Sequence, residues 1–218
     1  MQRGAVVLCG GRSTRMGSSK AMLPFGPERM LQRVVRLVAE VVPRENIVVV
    51  AAEGQELPPL PDDVAVTHDR QDNRGPLEGL ACGIAALAEC AEVAYATSCD
   101  VPLLVPAFIE RMFELLGDHD IAVPKEEKYF HPLAAVYRTT VLPEVESLLA
   151  ADRLRPVFLF ERCETQELAV EQFLDVDPQL QSLRNVNQPA DYISALRAAS
   201  FTPTDEILAS LTTRNSEE

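Results

Sequence analysis

The chain has 218 residues, 47% of them apolar, and a formal net charge of −13. That length suits one α/β domain or two small ones and is enough to enclose a single core. The acidic balance excludes a general nucleic-acid binder and an anionic membrane surface, because phosphate contacts need a net basic face; a polyanion has to enter a local basic pocket, with a metal to help.

In chain order, GAVVLCG (Gly4 to Gly10) is a short apolar run ending in glycine, which predicts a buried strand. Met30, Leu31, Val34, Leu37, Val38 and Val41 recur at helical spacing, so a helix is predicted from about Glu28 to Val42, stopped by Pro43. NIVVVAA (Asn46 to Ala52) is apolar throughout, as in a strand covered on both faces. VAVTHD (Val64 to Asp69) gives a third strand, Leu80 to Cys90 a helix of small residues, VAYATSCD (Val93 to Asp100) a fourth strand, and Pro106 to Leu116 a helix. DIAVP and HPLAAVYR predict two more strands, joined by the polar, charged KEEKYF connection. Helical patches follow at Leu142 to Ala151 and Pro156 to Cys163, and NVNQPADYISALRAA closes with a helix whose Pro189 suits the first helical position. Strands alternating with helices imply crossover connections and a mainly parallel sheet in one domain, residues 1–199. Residues 200–218 are polar and Thr-rich, and predict a peripheral tail with at most a short helix at Glu206 to Leu211.

The five cysteines (Cys9, Cys82, Cys90, Cys99 and Cys163) are odd in number and form no C-x-x-C pair. That pattern fits reduced thiols better than a disulfide frame or a zinc site. His68, His119 and His131 lie far apart and offer no metal-ligand spacing. The apolar run at Ala5 to Cys9 is too short for a secretion signal, and no stretch is long enough to span a membrane, so a cytoplasmic location is expected.

Ligands of parallel sheets sit outside the carboxyl ends of the strands, so the polar residues there matter most. They are the Gly10 to Lys20 loop, Asp69 with DRQDNRGPLEG, and Asp100, all expected on one edge of the sheet. The loop is neither a P-loop nor a dinucleotide fingerprint: Gly11 and Gly17 are too far apart, and Arg12 follows Gly10-Gly11. Adjacent glycines still let the backbone approach a ligand closely and form an anion-binding nest, to which Arg15 and Lys20 add positive charge. A solvated loop with surface cations is the alternative. Asp100 presents a hard carboxylate suited to Mg²⁺, or else caps the following helix; Asp69 either meets a ligand or starts an Asx turn.

The pattern L-x-G-G-x-S-x-R-M-G-x-x-K over Leu8 to Lys20, followed by L-P-F-G, resembles the signature of sugar-nucleotide and related nucleotidyltransferases. HDRQDNRGPLEGLACGI, SCDVP, HPLAAVYR and RNVNQPADY follow at matching distances. Taken together they are most similar to the molybdenum cofactor guanylyltransferase family, from Val6 to about Leu196. The resemblance implies a Rossmann-like three-layer fold, with a mainly parallel mixed sheet flanked by helices. It implies Mg²⁺-dependent transfer of GMP from GTP to the molybdenum–molybdopterin cofactor, with no nucleic-acid or membrane partner, and a molybdoenzyme or a cofactor-handling protein as a possible recipient. Arg15, Lys20 and Asp100 are then catalytic, with Asp100 as metal ligand. The nucleotide falls to Leu8, Cys9, Gly10, Gly11, Lys20, Asp69, Gly75, Pro76, Leu77, Gly79 and Asp100, with backbone groups near Leu8 to Gly10 and the Gly75 to Gly79 loop reading guanine. Arg155 and Asn187 match acceptor-side positions. The second strand ends VVVAAEGQE, where the family commonly carries an asparagine that meets the nucleotide; Ala51 and Ala52 have no side-chain hydrogen bond to give. A cytidylyltransferase acting on the same pterin and a non-catalytic nucleotide-binding module are the competing readings.

Overall fold

The computed structural model describes residues 1–9, 19–71 and 74–203. Gly10, Gly11 and Arg15 of the expected site, and the helix expected at Glu206 to Leu211, lie outside these residues.

The backbone runs β1 (Arg3–Leu8), a small antiparallel pair β2 (Pro24–Phe25) and β3 (Glu28–Arg29), α1 (Met30–Val38), β4 (Ile47–Ala51), β5 (Ala65–His68), α2 (Pro76–Leu87), β6 (Val93–Ser98) and α3 (Pro106–Leu115). It continues through β7 (Ile121–Glu126), β8 (Tyr129–Phe130), β9 (Ala135–Arg138), α4 (Leu142–Ala150), the single turn α5 (Val157–Phe160), β10 (Thr165–Ala169) and α6 (Pro189–Ala198). The main sheet has the order β10-β7-β9-β6-β1-β4-β5, with β8 paired to β7. β4 and β6 flank β1 in parallel, β5 runs parallel to β4, and β10 parallel to β7. β9 is antiparallel to both β6 and β7 and β8 is antiparallel to β7, so six strands point one way and β8 and β9 the other.

Alternation along the strands builds three layers. Ala5, Val7, Ile47, Val49 and Tyr95 face α1 and α3 across a core that takes in Leu31, Val34, Phe108 and Met112. Val6, Leu8, Val48, Val50 and Ala94 face the other way, against Cys82 and Leu87 of α2. Next to them Leu80 and Ile84 of α2 pack with Val145 and Leu148 of α4. A smaller cluster joins Phe25 and Met30 to Tyr192 and Leu196 of α6, and Phe201 packs on it beyond the expected domain limit at Ala199. The mixed, mostly parallel sheet with helices on both faces is the expected Rossmann-like architecture.

Several boundaries differ from expectation for physical reasons. The first helix begins at Met30, because Glu28 and Arg29 pair with Phe25 and Pro24 instead. Its entry is closed by the Arg29 amide donating to Gln32 Oε1 at 2.8 Å. The stretch read as a loop, Pro76 to Gly79, is the first turn of α2: Pro76 presets its φ, and Gly75 supplies the φ of +70° that turns the chain in. KEEKYF is a hairpin between β7 and β8, with Glu127 at φ +43° at its corner. The helix expected from Pro156 shrinks to one turn, and the edge strand β10 was not expected at all. All five cysteines are free, and among the described residues no helix is long and apolar enough to cross a membrane.

Candidate functional site

The parallel register sets β1, β4, β5 and β6 to end together: Leu8 lies beside Val50 and Ser98, and Ala51 beside His68. The residues immediately after these strands therefore share one edge. The Cys9 amide donates to the Val50 carbonyl at 2.7 Å, the Cys99 amide to Leu8 at 2.9 Å and the Asp69 amide to Ala51 at 3.0 Å. Asp69 and Asp100 thus leave the sheet at the same end, as expected.

Asp100 is the hub of a polar cluster. Its side chain is 14% exposed, and its Oδ2 accepts a hydrogen bond from Lys20 Nζ at 2.8 Å. Oδ1 accepts from Ser98 Oγ and, at 3.2 Å, from Asn185 Nδ2. Lys20 Nζ also donates to Asn187 Oδ1 at 2.9 Å. The helix after Asp100 begins six residues later with Val105 as its cap, so Asp100 is not a capping residue. Lys20 is aimed by a short 3-10 turn, Lys20–Met22, whose Ala21 is fully buried. The asparagines are aimed by their neighbour: Val186 is 2% exposed among apolar side chains, and its amide donates to the Asp100 carbonyl at 2.8 Å. Alternation then turns Asn185 and Asn187 toward Asp100 and Lys20. Asn187, expected on the acceptor side, joins the same cluster as the expected catalytic pair. Asn185 was missed as a site residue; its signal was its position two residues before Asn187 around an apolar valine.

The remaining expected residues are placed differently. Gly79 faces the strand ends: a Cβ there would lie 2.9 Å from Leu8 Cδ2 and 3.3 Å from Asp69 Oδ1. Leu77 is fully buried among α2 and α4 side chains, and Leu8 is 7% exposed. Cys9 points into the core against Cys99, and a hydrogen bond to that thiol together with burial pushes its own thiol well up. Its amide serves Val50 and its carbonyl accepts from Gln55, so the Leu8 and Cys9 backbone is committed to the sheet and its rim. The expectation that backbone groups from Leu8 to Gly10 read a base also rests on Gly10, outside the described residues. Glu78, 4% exposed, pairs with Arg70 at 3.2 Å and Arg74 at 3.6 Å. Arg70 also reaches Glu146, and Arg74 the Leu149 carbonyl, so these guanidiniums tie the start of α2 to α4. Arg155 is exposed and joins none of the hydrogen bonds around Asp100. Arg153 beside it lies over the Phe158 ring at 3.9 Å.

Among the described residues no three His, Cys, Asp or Glu side chains are grouped to hold a metal ion. A carboxylate offers the hard oxygens that Mg²⁺ takes from one or two protein side chains, sharing its remaining positions with substrate phosphates and water. Asp100 carries such a carboxylate at the carboxyl edge of the sheet.

The model of the MobA-like NTP transferase domain matches residues 5–166. The chain belongs to this family. It is a nucleotidyltransferase. A Methanosarcina mazei protein named "Probable molybdenum cofactor guanylyltransferase" is 33% identical over 205 residues, covering 87% of this chain and 88% of that one. A protein of the same name from Mycobacterium ulcerans is 34% identical over 197 residues, covering 88% and 92%. Among solved structures, molybdopterin-guanine dinucleotide biosynthesis protein A from Archaeoglobus fulgidus superposes with a TM-score of 0.74 at 20% identity, over 91% of this chain and 98% of the other. A cytidylyltransferase from Leptospira borgpetersenii reaches 0.67 at 18% identity, over 99% and 94%. These two likenesses concern the fold. The MobA-like family match runs from Ala5 within β1 past Lys20 and Asp100 into the start of β10, and Asn185 and Asn187 lie beyond it.

Proposed function

We propose that this nucleotidyltransferase moves GMP from GTP to the molybdenum–molybdopterin cofactor, giving molybdopterin guanine dinucleotide and pyrophosphate. The terminal phosphate oxygen of the pterin attacks the α-phosphorus of GTP, the α–β phosphoanhydride bond breaks, and the electron pair leaves with pyrophosphate. Catalysis of such a step is mainly positioning and electrostatics. Lys20 takes negative charge that develops on the phosphoryl oxygens, releasing its contact with Asp100 to do so. Asp100 would hold Mg²⁺, which when bound would supply positive charge to neutralise the phosphates. Asn185 and Asn187 keep Asp100 and Lys20 in place and offer amides to the acceptor, with Arg155 as a further cation for its phosphate. Arg15 adds charge to the triphosphate, Gly10 and Gly11 admit it closely, and Gly79 keeps space beside Asp69 for the nucleoside, with Gly75 and Pro76 setting the turn.

The observation that carries this reading is the contact of Lys20 with Asp100 at the carboxyl edge, in a chain whose relatives at 33% and 34% identity are named guanylyltransferases. A thermal melt with Mg²⁺ and each of GTP, CTP, ATP and UTP tests it first. Ligand at about 100 times its dissociation constant stabilises by ~2.7 kcal/mol, several degrees for a chain of this size. A shift with GTP alone, followed by pyrophosphate release on adding the pterin, is the expected result. A shift with CTP alone moves the protein to cytidylyl transfer, and no shift with any triphosphate overturns the reading.

A further inference from the structure

Gln55 falls in the VVVAAEGQE stretch, four residues past the end of β4. A turn with Gly54 at φ +70° brings it back over the strand end. There its backbone amide donates to the Ala52 carbonyl at 3.1 Å, and the Ala52 amide donates to Gln55 Oε1 at 3.0 Å. Because that amide can only donate, the side-chain oxygen must face Ala52 and the NH₂ must face away. The NH₂ donates to the Cys9 carbonyl at 3.1 Å and to Ser19 Oγ at 3.3 Å. Its two hydrogens thus serve two acceptors that lie ten residues apart. Cys9 is the last residue of the β1 rim, and Ser19 directly precedes Lys20 at the head of the 3-10 turn.

We infer that Gln55 is a positioning residue for the transfer reaction: its amide ties Ser19 to the end of β1 and so fixes where Lys20 stands relative to Asp100. The chain carries alanines where a side-chain amide was expected at the end of β4, and Gln55 returns an amide to that rim with its hydrogen bonds turned to the protein. Lys20 has a flexible stem, and its reach to both Asp100 and Asn187 depends on the backbone at Ser19 staying put. The acceptor half of the Gln55 amide only closes its own turn. The donor half does the positioning, and the two halves separate by substitution.

For its activity readout the inference rests on the transfer reading above. Gln55→Glu keeps the acceptor for Ala52 and removes the donors; Gln55→Met keeps the length and removes both. Both variants are expected to melt close to the parent and to lose about tenfold or more in kcat with a smaller change in the KM for GTP, since misplacement of about 1 Å can cost two orders of magnitude. Hydrogen exchange of the nucleotide-free proteins at Met22 and Leu23, whose amides close the turn behind Ser19 and Lys20, is expected to speed up in both variants and not elsewhere. If Gln55→Met falls and Gln55→Glu matches the parent, the residue only closes its own turn and the inference is overturned. Parent-like kinetics and exchange in both variants also overturn it. A parent that transfers nothing from GTP sinks the functional reading instead, and the exchange comparison still decides the role of Gln55.

Discussion

Lys20 Nζ and Asp100 Oδ2 meet at 2.8 Å across 80 residues of chain, with both side chains more than four-fifths buried. The pair joins the two segments that follow β1 and β6, which are neighbouring parallel strands. Its partners are unequal. Asp100 without Lys20 keeps Ser98 and Asn185 as donors to Oδ1, but Oδ2 loses the ammonium, so Lys20→Met also costs stability. Transition-state charge loses its cation as well. The expected outcome is a fall in kcat of about 100- to 1,000-fold, the size seen when one preorganised charge stabiliser is removed, with the variant still folded and melting at a lower temperature than the parent. Steady-state pyrophosphate release beside a melt checks it. Asp100→Ala is expected to be at least as damaging, and the double variant no worse than Asp100→Ala alone, because groups that act as a unit do not add.

Helix α2 reaches the strand ends only because Gly83 lets it lie on β1. A Cβ there would stand 2.3 Å from Val6 Cγ1, a stiff β-branched side chain with no room to turn. Overpacking of this kind costs ~1–3 kcal/mol, and alanine's helix propensity returns at most ~1 kcal/mol. Gly83→Ala is therefore expected to lower the melting temperature by several degrees, at about 2–4 °C per kcal/mol for this chain length. Val6→Ala removes the opposing methyls. Urea unfolding of both single variants and the double variant should give a double that is less destabilised than the sum.

How much of this was legible in the sequence follows from what each element is made of. Helix starts at Pro106 and Pro189 carry their own punctuation, and β1, β4 and β6 are buried on both faces, so they stand out against any background. β10 does not: it is an edge strand in which only Leu168 is buried, so TQELA shows no run and little alternation. The Gly75 to Gly79 stretch misled because a Gly-Pro turn and a Gly-Pro helix entry read alike until φ is known. That Asp69 and Asp100 share one edge of the sheet was readable because a strand places whatever follows it. The contact of Lys20 with Asn187 spans 167 residues and depends on sheet order, which no local pattern contains. Gln55 was illegible for the same reason, since its partners Cys9 and Ser19 are close to it only through the pairing of β1 with β4.

His131 is set at the head of the connection into β9, with its Nε2 free of hydrogen-bond partners and Glu126 Oε1 at 3.8 Å. Burial lowers its pKa from the ordinary value near 6.5, and Glu126 opposes that only in part. A lowered folded pKa means the unfolded chain binds the proton more tightly, so stability is present above about pH 6.5 and is lost as pH falls toward the folded value. His131→Gln has no proton to bind. Urea midpoints at about pH 5.5 and about pH 7.5 are expected to differ less in the variant than in the parent, bracketing the range in which histidine titrates. An equal pH slope in the two proteins counts against burial of the neutral ring.

The segment beyond α6 is part of the fold as far as Phe201. Its ring meets Phe25 edge-on at 5.7 Å, with the Arg33 guanidinium 5.7 Å from its centre, and its amide donates to the Leu196 carbonyl at 2.8 Å. Gly26 lies directly beneath: a Cβ there would come within 2.4 Å of the ring, at a φ of +64° that already disfavours a side chain. Two costs therefore fall on Gly26→Ala, about 1–2 kcal/mol for the left-handed backbone and a further amount for displacing the ring. Phe201→Ala costs about 1–2 kcal/mol by itself through lost burial and the lost ring pair. Combining the two separates the terms. In the Phe201→Ala background the ring is gone, so Gly26→Ala is expected to cost only the backbone share, and the cycle should show a coupling of about 1 kcal/mol or more. Additive losses in chemical denaturation would mean that Phe201 does not rest on Gly26 in solution.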